Sequence, residues 1–301
     1  MRRRVTLRAG DRTLELGERP RLMGIVNASP DSFSDGGATA TPAARVQLGR
    51  ALVREGAEML DVGGESARTD RAAVEVEKEI ERVVPLVRAL AGELDAIISV
   101  DTYKPPVAAA AIDAGAVMVN DVSGLRDPEL ARLCARTGAA LVIMHTRAAP
   151  KQRLQDPDLY GEVTEEVCAF LHARIELALS EGVRFEQLIV DPGPDFAKTP
   201  AQTIELLRGL ESLHELGRPI LLAISRKDFI GALTGRPPRE RTAGTLAALA
   251  HGVSAGAHIL RLHEVAPAAD FLAVQSALDG SLRPSPQLAL SEVLRHDDGG
   301  P

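Results

Sequence analysis

Short apolar runs alternate with longer amphipathic segments along most of the chain. Eight of these runs are apolar almost throughout, as is typical of parallel strands covered on both faces. They span residues 22–27, 59–62, 97–100, 117–120, 140–144, 188–191, 220–224 and 259–262. The segments between them repeat apolar residues at helical spacing and are bounded by glycine or proline. The predicted helices include 42–55, 74–90, 104–114, 128–137, 200–213 and 241–255.

This alternation predicts the fold class. Strand–helix units that follow one another in an unbroken series indicate an α/β protein, a (β/α)₈ barrel, over residues 21–280. A doubly wound sheet is the alternative, because it is built from the same units. No linker interrupts the series, so we expect one barrel domain.

The two ends of the chain depart from this rhythm. Residues 1–20 are predicted to form a short β-hairpin, because apolar and polar residues alternate on both sides of a Gly-Asp turn. The alternating apolar positions are Val5, Leu7, Leu14 and Leu16. Residues 281–301 lose the pattern and are predicted to be a partly disordered C-terminal tail.

Composition narrows the class of protein and of partner. The 301 residues are 45% hydrophobic and 26% charged, which suits a globular protein with a large core. The net charge of -7 disfavours nucleic acid and anionic membranes as partners, so we expect small-molecule substrates. The N-terminus lacks the apolar core of a signal peptide, and no apolar run is long enough for a membrane span. We therefore expect a cytoplasmic protein.

Nearly every predicted strand ends in, or is directly followed by, a charged or amide residue. These residues include Asn27, Asp61, Asp101, Asn120, His145, Asp191, Lys227 and Arg261. In a barrel the carboxyl ends of the strands form one mouth, where the active sites of this fold lie. Polar residues also simply terminate strands, but that does not explain the whole series. The pattern predicts an active site at this mouth.

The predicted mouth has two chemical halves. The acidic half consists of Asp101, Asn120 and Asp191, and its carboxylates and amide suit a flat heterocycle with amino and ring N–H groups. The cationic half consists of Arg68, Lys227, Arg261 and His263, and it suits phosphate oxygens. A ligand with a polar ring and a phosphate fits both halves. A Schiff-base lysine at Lys227 is an alternative, whereas no spacing typical of a zinc site occurs.

Seven segments resemble dihydropteroate synthases and occur in that family's order. They are MGIVNASPDSFSDGG (23–37), DVGGES (61–66), SVDTYKP (99–105), NDVSGL (120–125), DPGPDFAKTP (191–200), SRKDFIG (225–231) and RLHEV (261–265). The resemblance implies a homodimeric barrel transferase of folate biosynthesis. Its implied reaction condenses 6-hydroxymethyl-7,8-dihydropterin diphosphate with p-aminobenzoate, which gives 7,8-dihydropteroate and diphosphate.

The resemblance also implies a role for each matching residue. It implies pterin contacts from Asp101, Asn120, Met144, Asp191 and Lys227. It implies diphosphate contacts from Asn27, Arg68, Arg261 and His263, with Asn27 as a ligand of Mg²⁺. It places Phe33, Ala67, Phe196 and Asp228 on the p-aminobenzoate side. The implied catalytic residues are Asp31, Asp101 and Lys227.

Departures from the usual pattern of this family cluster on the p-aminobenzoate side. The family usually has Thr, Pro-Gly, Gly and Ser where this chain has Ala67, Thr69-Asp70, Asp195 and Asp228. Asp228 would repel a benzoate carboxylate by on the order of 1–4 kcal/mol unless a neighbouring arginine compensates. The alternative function is therefore a divergent pterin-diphosphate-binding homologue with poor or no p-aminobenzoate activity. A third reading is a pterin-barrel methyltransferase with a corrinoid partner, which has no need of the diphosphate residues.

Overall fold

The computed structural model describes residues 3–28, 41–66, 69, 71–291 and 294–295. Its strands are β1 (Val5–Ala9), β2 (Arg12–Leu16), β3 (Arg21–Asn27), β4 (Met59–Gly63), β5 (Ile97–Asp101), β6 (Met118–Asp121), β7 (Ala140–Met144), β8 (Leu188–Asp191), β9 (Leu221–Leu222) and β10 (Ile259–Leu262). Strands β3 to β10 form one parallel sheet in the order β8-β7-β6-β5-β4-β3-β10-β9. A parallel bridge between Val190 and Ile220 joins its two edges, so the sheet closes. The predicted (β/α)₈ barrel is confirmed.

The described helices surround this barrel. They are α1 (Pro42–Arg54), α2 (Val76–Glu93), α3 (Pro105–Asp113), α4 (Glu129–Thr137), α5 (Val163–Ser180), α6 (Pro200–Arg208), α7 (Asp228–Thr234), α8 (Thr242–Ser254) and α9 (Val265–Leu278). The helix predicted over 200–213 ends earlier, at Arg208, and a 3₁₀ helix over Leu210–Leu216 follows. Within the described residues, no helix combines the length and the apolar character that a membrane crossing requires.

Strand residues alternate between two buried layers. Side chains such as Leu60, Ile98 and Val119 face outward and pack against the helices. Their neighbours in sequence fill the barrel interior, as Met59, Ile97, Met118, Ile189 and Ile259 do. Because side chains two residues apart lie on the same face of a strand, the polar residues further along these strands also face inward. This places Asp61, Asp101, Asn120, Asp191 and Arg261 on the inner face near the carboxyl ends.

The N-terminal hairpin covers the amino end of the barrel. Strands β1 and β2 pair antiparallel, with Val5 opposite Leu16, which confirms the predicted hairpin. Leu7 and Leu16 are buried against the interior layer of the barrel. Arg218 ties the hairpin to this end by donating from Nη2 to the carbonyl oxygen of Thr6 at 2.9 Å. The boundaries at residues 20 and 280 and the disorder of the tail stay predictions.

Candidate active site

Arg261 joins two carboxylates at the carboxyl end of the barrel. Its Nε donates to Asp61 Oδ2 at 2.6 Å, and its Nη2 donates to Asp101 Oδ2 at 2.6 Å. Asn120 Nδ2 donates to the same oxygen of Asp61 at 2.9 Å. Asp61, Asp101, Asn120 and Arg261 therefore form one connected group, which we call the central network. Arg261 of the predicted cationic half is therefore hydrogen-bonded to Asp101 of the predicted acidic half.

Two acceptors of the central network have no hydrogen-bond partner within the described residues. They are Asp61 Oδ1 and Asn120 Oδ1, and both atoms are buried. The amide nitrogen of Asn120 faces the Asp61 carboxylate, so the amide oxygen is the atom that remains for another donor. A buried polar atom without a partner costs about 1–3 kcal/mol. These acceptors are therefore suited to N–H groups of a ligand.

Burial perturbs the ionisable groups around this network. It raises the pKa of Asp101 to about 7, although Arg261 opposes the shift and Asp61 adds to it. Burial also raises the pKa of Asp191, whose Oδ1 accepts from the backbone N–H of Gly193 at 2.7 Å. It lowers the pKa of Lys227 against the attraction of nearby carboxylates. Strongly shifted acids and a shifted lysine at one barrel mouth are typical of an active site.

His263 lies beside this group and is held by a hydroxyl. Its Nδ1 and the Oγ of Ser225 are 2.9 Å apart. Burial lowers the pKa of His263 to about 3, and the charges of Arg226 and Arg261 act in the same direction. The imidazole is therefore neutral near neutral pH and offers a hydrogen bond. The place of His263 among the diphosphate-binding residues stays a prediction.

A cavity of about 700 Å³ opens at the same mouth, a size usual for small-molecule sites. Its lining includes Asp101, Phe196, Lys227 and Asp228. The Nζ of Lys227 lies 4.3 Å from the centroid of the Phe196 ring. The cavity therefore reaches from the central network to the residues predicted on the p-aminobenzoate side.

The charge of Asp228 is compensated by an arginine of the next loop. Arg241 Nη1 donates to Asp228 Oδ1 at 3.2 Å. The same nitrogen donates to the carbonyl oxygens of Arg226 and Lys227 at 2.9 and 3.0 Å, which fixes the guanidinium there. The Asp228 side chain is 68% exposed, so water screens it further. Arg241 is therefore the neighbouring arginine that compensates for the repulsion expected between Asp228 and a benzoate carboxylate.

Asp195, another departure from the usual pattern, links α6 to α7. Its Oδ2 accepts from the backbone N–H of Asp228 at 2.5 Å, and its Oδ1 accepts from the hydroxyl of Thr203 at 3.0 Å. A carboxylate at the first turn of a helix satisfies an N–H that the helix itself leaves free. Asp195 therefore binds the first free N–H of α7 from a neighbouring loop, while Lys227 is the N-cap residue of that helix.

Comparisons with known proteins agree with this geometry. Residues 23–263 match the family model described as pterin binding enzyme. The chain is 41% identical over 274 residues to a dihydropteroate synthase of Synechocystis sp., across 90% of this chain and 94% of that protein. The chain belongs to the dihydropteroate synthase family of pterin binding enzymes. It is therefore a transferase of folate biosynthesis.

Solved dihydropteroate synthases share its structure. One from Xanthomonas albilineans, described with 4-aminobenzoic acid, is 43% identical with a TM-score of 0.83, over 91% of this chain and 99% of that chain. Another from the same species, in complex with 7,8-dihydropteroate, is 42% identical with a TM-score of 0.80, over 90% and 98%. These comparisons favour dihydropteroate synthase over the alternative of a divergent pterin-binding homologue.

The structure brings several of the predicted residues to the barrel mouth. Besides the central network, Met144 pairs with Asp191 across β7 and β8, and Asn27 lies opposite Gly63 at the end of β3. The predicted residues Asp31, Phe33, Ala67 and Arg68 lie outside the described residues. The individual roles of all these residues stay predictions.

Two buried residues at the barrel mouth have no role that the sequence predicts. Asp61 has a signal, because its position two residues after Met59 places it on the inner face. Lys198 has none, because no local pattern distinguishes it from an exposed loop lysine. It is fully buried in the structure.

Proposed function

We propose that the barrel mouth binds the pterin ring on the central network and joins its methylene carbon to the amine of p-aminobenzoate. The observation that carries the proposal is the pair of buried acceptors on Asp61 and Asn120, beside Arg261, that find no hydrogen-bond partner in the part of the chain that the structure describes. The relatives described with 4-aminobenzoic acid and with 7,8-dihydropteroate support the same two ligands here.

The pterin ring offers an amino group, ring N–H groups and a carbonyl. Asn120 and the carboxylates of Asp101 and Asp191 would accept from the N–H groups, and Lys227 would donate to the carbonyl. Met144, which is buried beside Asp191 in the β7–β8 ladder, would pack against the flat face of the ring. A carboxylate in a dry site has few other partners, so each contact selects strongly for a ring with adjacent donors.

The chemistry requires one bond to break and one to form. The methylene–oxygen bond breaks and its electron pair leaves with diphosphate, while the amine lone pair forms the new carbon–nitrogen bond and the amine releases a proton. The electron-rich ring carries positive charge during this exchange. The ionised forms of Asp101 and Asp191 stabilise that charge, and Arg261 with His263 would bind the departing diphosphate. No covalent enzyme intermediate is needed.

The residues present fit a magnesium ion that arrives with the diphosphate. No cluster of three or more His, Cys, Asp or Glu side chains suited to a metal occurs in the described ranges. Mg²⁺ commonly keeps several waters and binds through few protein oxygens plus substrate phosphates, so the amide oxygen of Asn27 at the end of β3 would be its protein ligand. When bound, Mg²⁺ would neutralise negative charge on the leaving group.

Phe196 and the Asp228–Arg241 pair would form the side that receives p-aminobenzoate. The Phe196 ring lines the cavity and offers an apolar face for the aryl ring. Arg241 removes most of the repulsion that Asp228 would exert on a benzoate carboxylate. We therefore expect p-aminobenzoate to be used despite the departures from the usual pattern.

We also propose that the chain is a homodimer. Val274 and Leu278 on the last helix are 61% and 83% exposed, which favours an apolar contact there. Light scattering tests this: the mass of a dimer supports the proposal, and the mass of a monomer overturns it. The cytoplasmic location stays a prediction.

Turnover with both substrates tests the proposed function. Diphosphate release and 7,8-dihydropteroate formation should both require p-aminobenzoate. Asp191→Asn should lower kcat/KM on the order of 10²-fold, because it removes charge that stabilises the transition state. Asp95→Asn, a change at a side chain that is 94% exposed, is the matched control and should have no effect. Pterin diphosphate binding without diphosphate release on adding p-aminobenzoate would favour the alternative function.

A further inference from the structure

A buried lysine lies behind the cavity wall and has no part in the reaction described above. Lys198, in the loop between β8 and α6, is 0% exposed. Its Nζ lies 2.8 Å from His145 Nδ1 and donates to the carbonyl oxygens of Gly193 and Phe196 at 2.9 and 3.0 Å. Three acceptors match the three N–H groups of an ammonium. Burial of such a group is costly unless every N–H is bonded, so this arrangement is specific.

His145 provides a fixed acceptor for this lysine. Burial lowers the pKa of His145 to about 2, and the charge of Lys198 adds to the effect. The ring is therefore neutral, and its Nδ1 can accept from the Lys198 amine, whose own pKa burial lowers to about 7. It packs edge-on against Phe170, with ring centroids 4.8 Å apart. His145 also follows β7 directly and donates its backbone N–H to Asp191 O at 2.8 Å, so the anchor belongs to the barrel itself.

The loop that Lys198 holds adopts unfavourable backbone conformations. Gly193, Asp195 and Ala197 have φ values of +63°, +66° and +51°. The latter two carry side chains, which disfavour this left-handed region. Such conformations persist only where the surroundings hold them. Two carbonyl oxygens of this loop are bonded to Lys198, and that of Ala197 accepts from the hydroxyl of Tyr160 at 2.9 Å.

This loop carries the aromatic wall of the cavity. Phe196 lies in it, and its ring contacts the Nζ of Lys227 from the facing loop. The Phe196 carbonyl is one of the three acceptors of Lys198, so the lysine is linked to the backbone that presents the ring. Asp191, by contrast, lies on β8 and is paired in the barrel ladder. Loss of the lysine contacts should therefore displace Phe196 more than the pterin-side residues.

We propose that Lys198 is a positioning residue that sets the affinity for the aromatic amine by holding Phe196 in the cavity wall. The proposal rests on the proposed function in one respect, namely that the aryl ring of the second substrate packs on Phe196. Lys198 itself touches neither substrate. Its effect should appear in the KM for one substrate and much less in the KM for the other.

The test is steady-state kinetics of Lys198→Met, which keeps an unbranched side chain of similar volume and removes all three donors. The KM for p-aminobenzoate should rise at least roughly tenfold, because small displacements of positioning groups have large effects. The KM for the pterin diphosphate should change by less than about threefold, since the β7–β8 ladder holds the backbone of Asp191 independently of Lys198. If the methionine variant does not fold, Lys198→Gln, which keeps two donors, should show the same split with a smaller rise.

Arg218→Met is the matched control. Arg218 is also a buried cation bonded to carbonyl oxygens, those of Leu188 and Thr6, but it lies at the amino end of the barrel. It should lower the thermal stability and leave both KM values unchanged. A p-aminobenzoate KM within about threefold of native in the Lys198 variant, or equal changes in both KM values, overturns the proposal. If the unsubstituted protein itself shows no turnover, the proposed function is refuted. The failure of the proposed function is thereby distinguished from the failure of the proposal for Lys198.

Discussion

Replacing Arg261 by methionine should destabilise the protein far more than the same change at a surface arginine. Arg261 lies between the carboxylates of Asp61 and Asp101, 2.6 Å from each, and its side chain is only 18% exposed. Removal of one partner from a buried ion pair costs about 3–5 kcal/mol, because the remaining charge has no compensation. Here two carboxylates remain, so we expect a loss in the upper half of that range.

The loss should also grow with pH. Burial raises the pKa of Asp101 to about 7, although Arg261 opposes it. The pKa of an Asp carboxyl in the unfolded chain is about 4, so the folded protein binds this proton more tightly. The resulting stabilisation is fully present below about pH 4 and is lost as the pH rises through about 7. Without Arg261 the pKa rises further, so the decline continues above pH 7. The deficit of the variant should then increase by up to about 1.4 kcal/mol per pH unit.

Urea unfolding followed by far-UV circular dichroism measures both effects. Arg50→Met is the control, because Arg50 pairs with Glu93 at 2.5 Å while both side chains are 41% exposed. That surface pair should contribute about 0–1 kcal/mol. The reasoning is refuted if the two variants lose similar free energies of unfolding. It is equally refuted if the deficit of Arg261→Met shrinks between about pH 6 and about pH 8.

Four further substitutions test other parts of the site and fold. Asp228→Asn should leave the KM for p-aminobenzoate within about threefold of native, whereas Arg241→Gln should raise that KM on the order of tenfold, because it exposes the benzoate to an uncompensated carboxylate. Gly193→Ala should lower the free energy of unfolding, measured in urea, by at least about 2 kcal/mol. The added Cβ, at φ +63°, would lie 2.1 Å from the carbonyl oxygen of His145. Leu7→Ala should cost about 2–5 kcal/mol in the same measurement and leave both KM values unchanged, because it empties space at the amino end of the barrel. Unaltered stability in either of the last two variants, or a large change in KM for Asp228→Asn, would contradict these arguments.

Much of the barrel was predictable because its signals are local. Strands β7, β8 and β10 have the predicted bounds, since continuous apolar runs between glycine or polar residues leave little choice. The same is true of the active-site mouth. A polar residue that ends a buried parallel strand must lie at the carboxyl end of the sheet, whichever strands are its neighbours.

Contacts between distant parts of the chain were not predictable in this way. Arg261 reaches Asp61 across 200 positions, and this pairing depends on the register of β10, β3 and β4. Arg241 compensates Asp228 only because the turn after α7 returns it to the first turn of that helix. The burial of Lys198 depends on His145 at the end of another strand. Each of these contacts depends on tertiary packing, which composition and local periodicity do not predict.

The central claim is that the buried acceptors Asp61 Oδ1 and Asn120 Oδ1 bind the pterin ring. Calorimetric titration with the pterin diphosphate in the presence of Mg²⁺ tests this claim most directly. The native chain should bind one equivalent. Asn120→Ala should weaken binding by roughly 5–150-fold, which corresponds to the 1–3 kcal/mol of a lost contact that leaves a buried donor unpaired. Equal affinities of the two proteins would show that the ring binds elsewhere and would contradict the account.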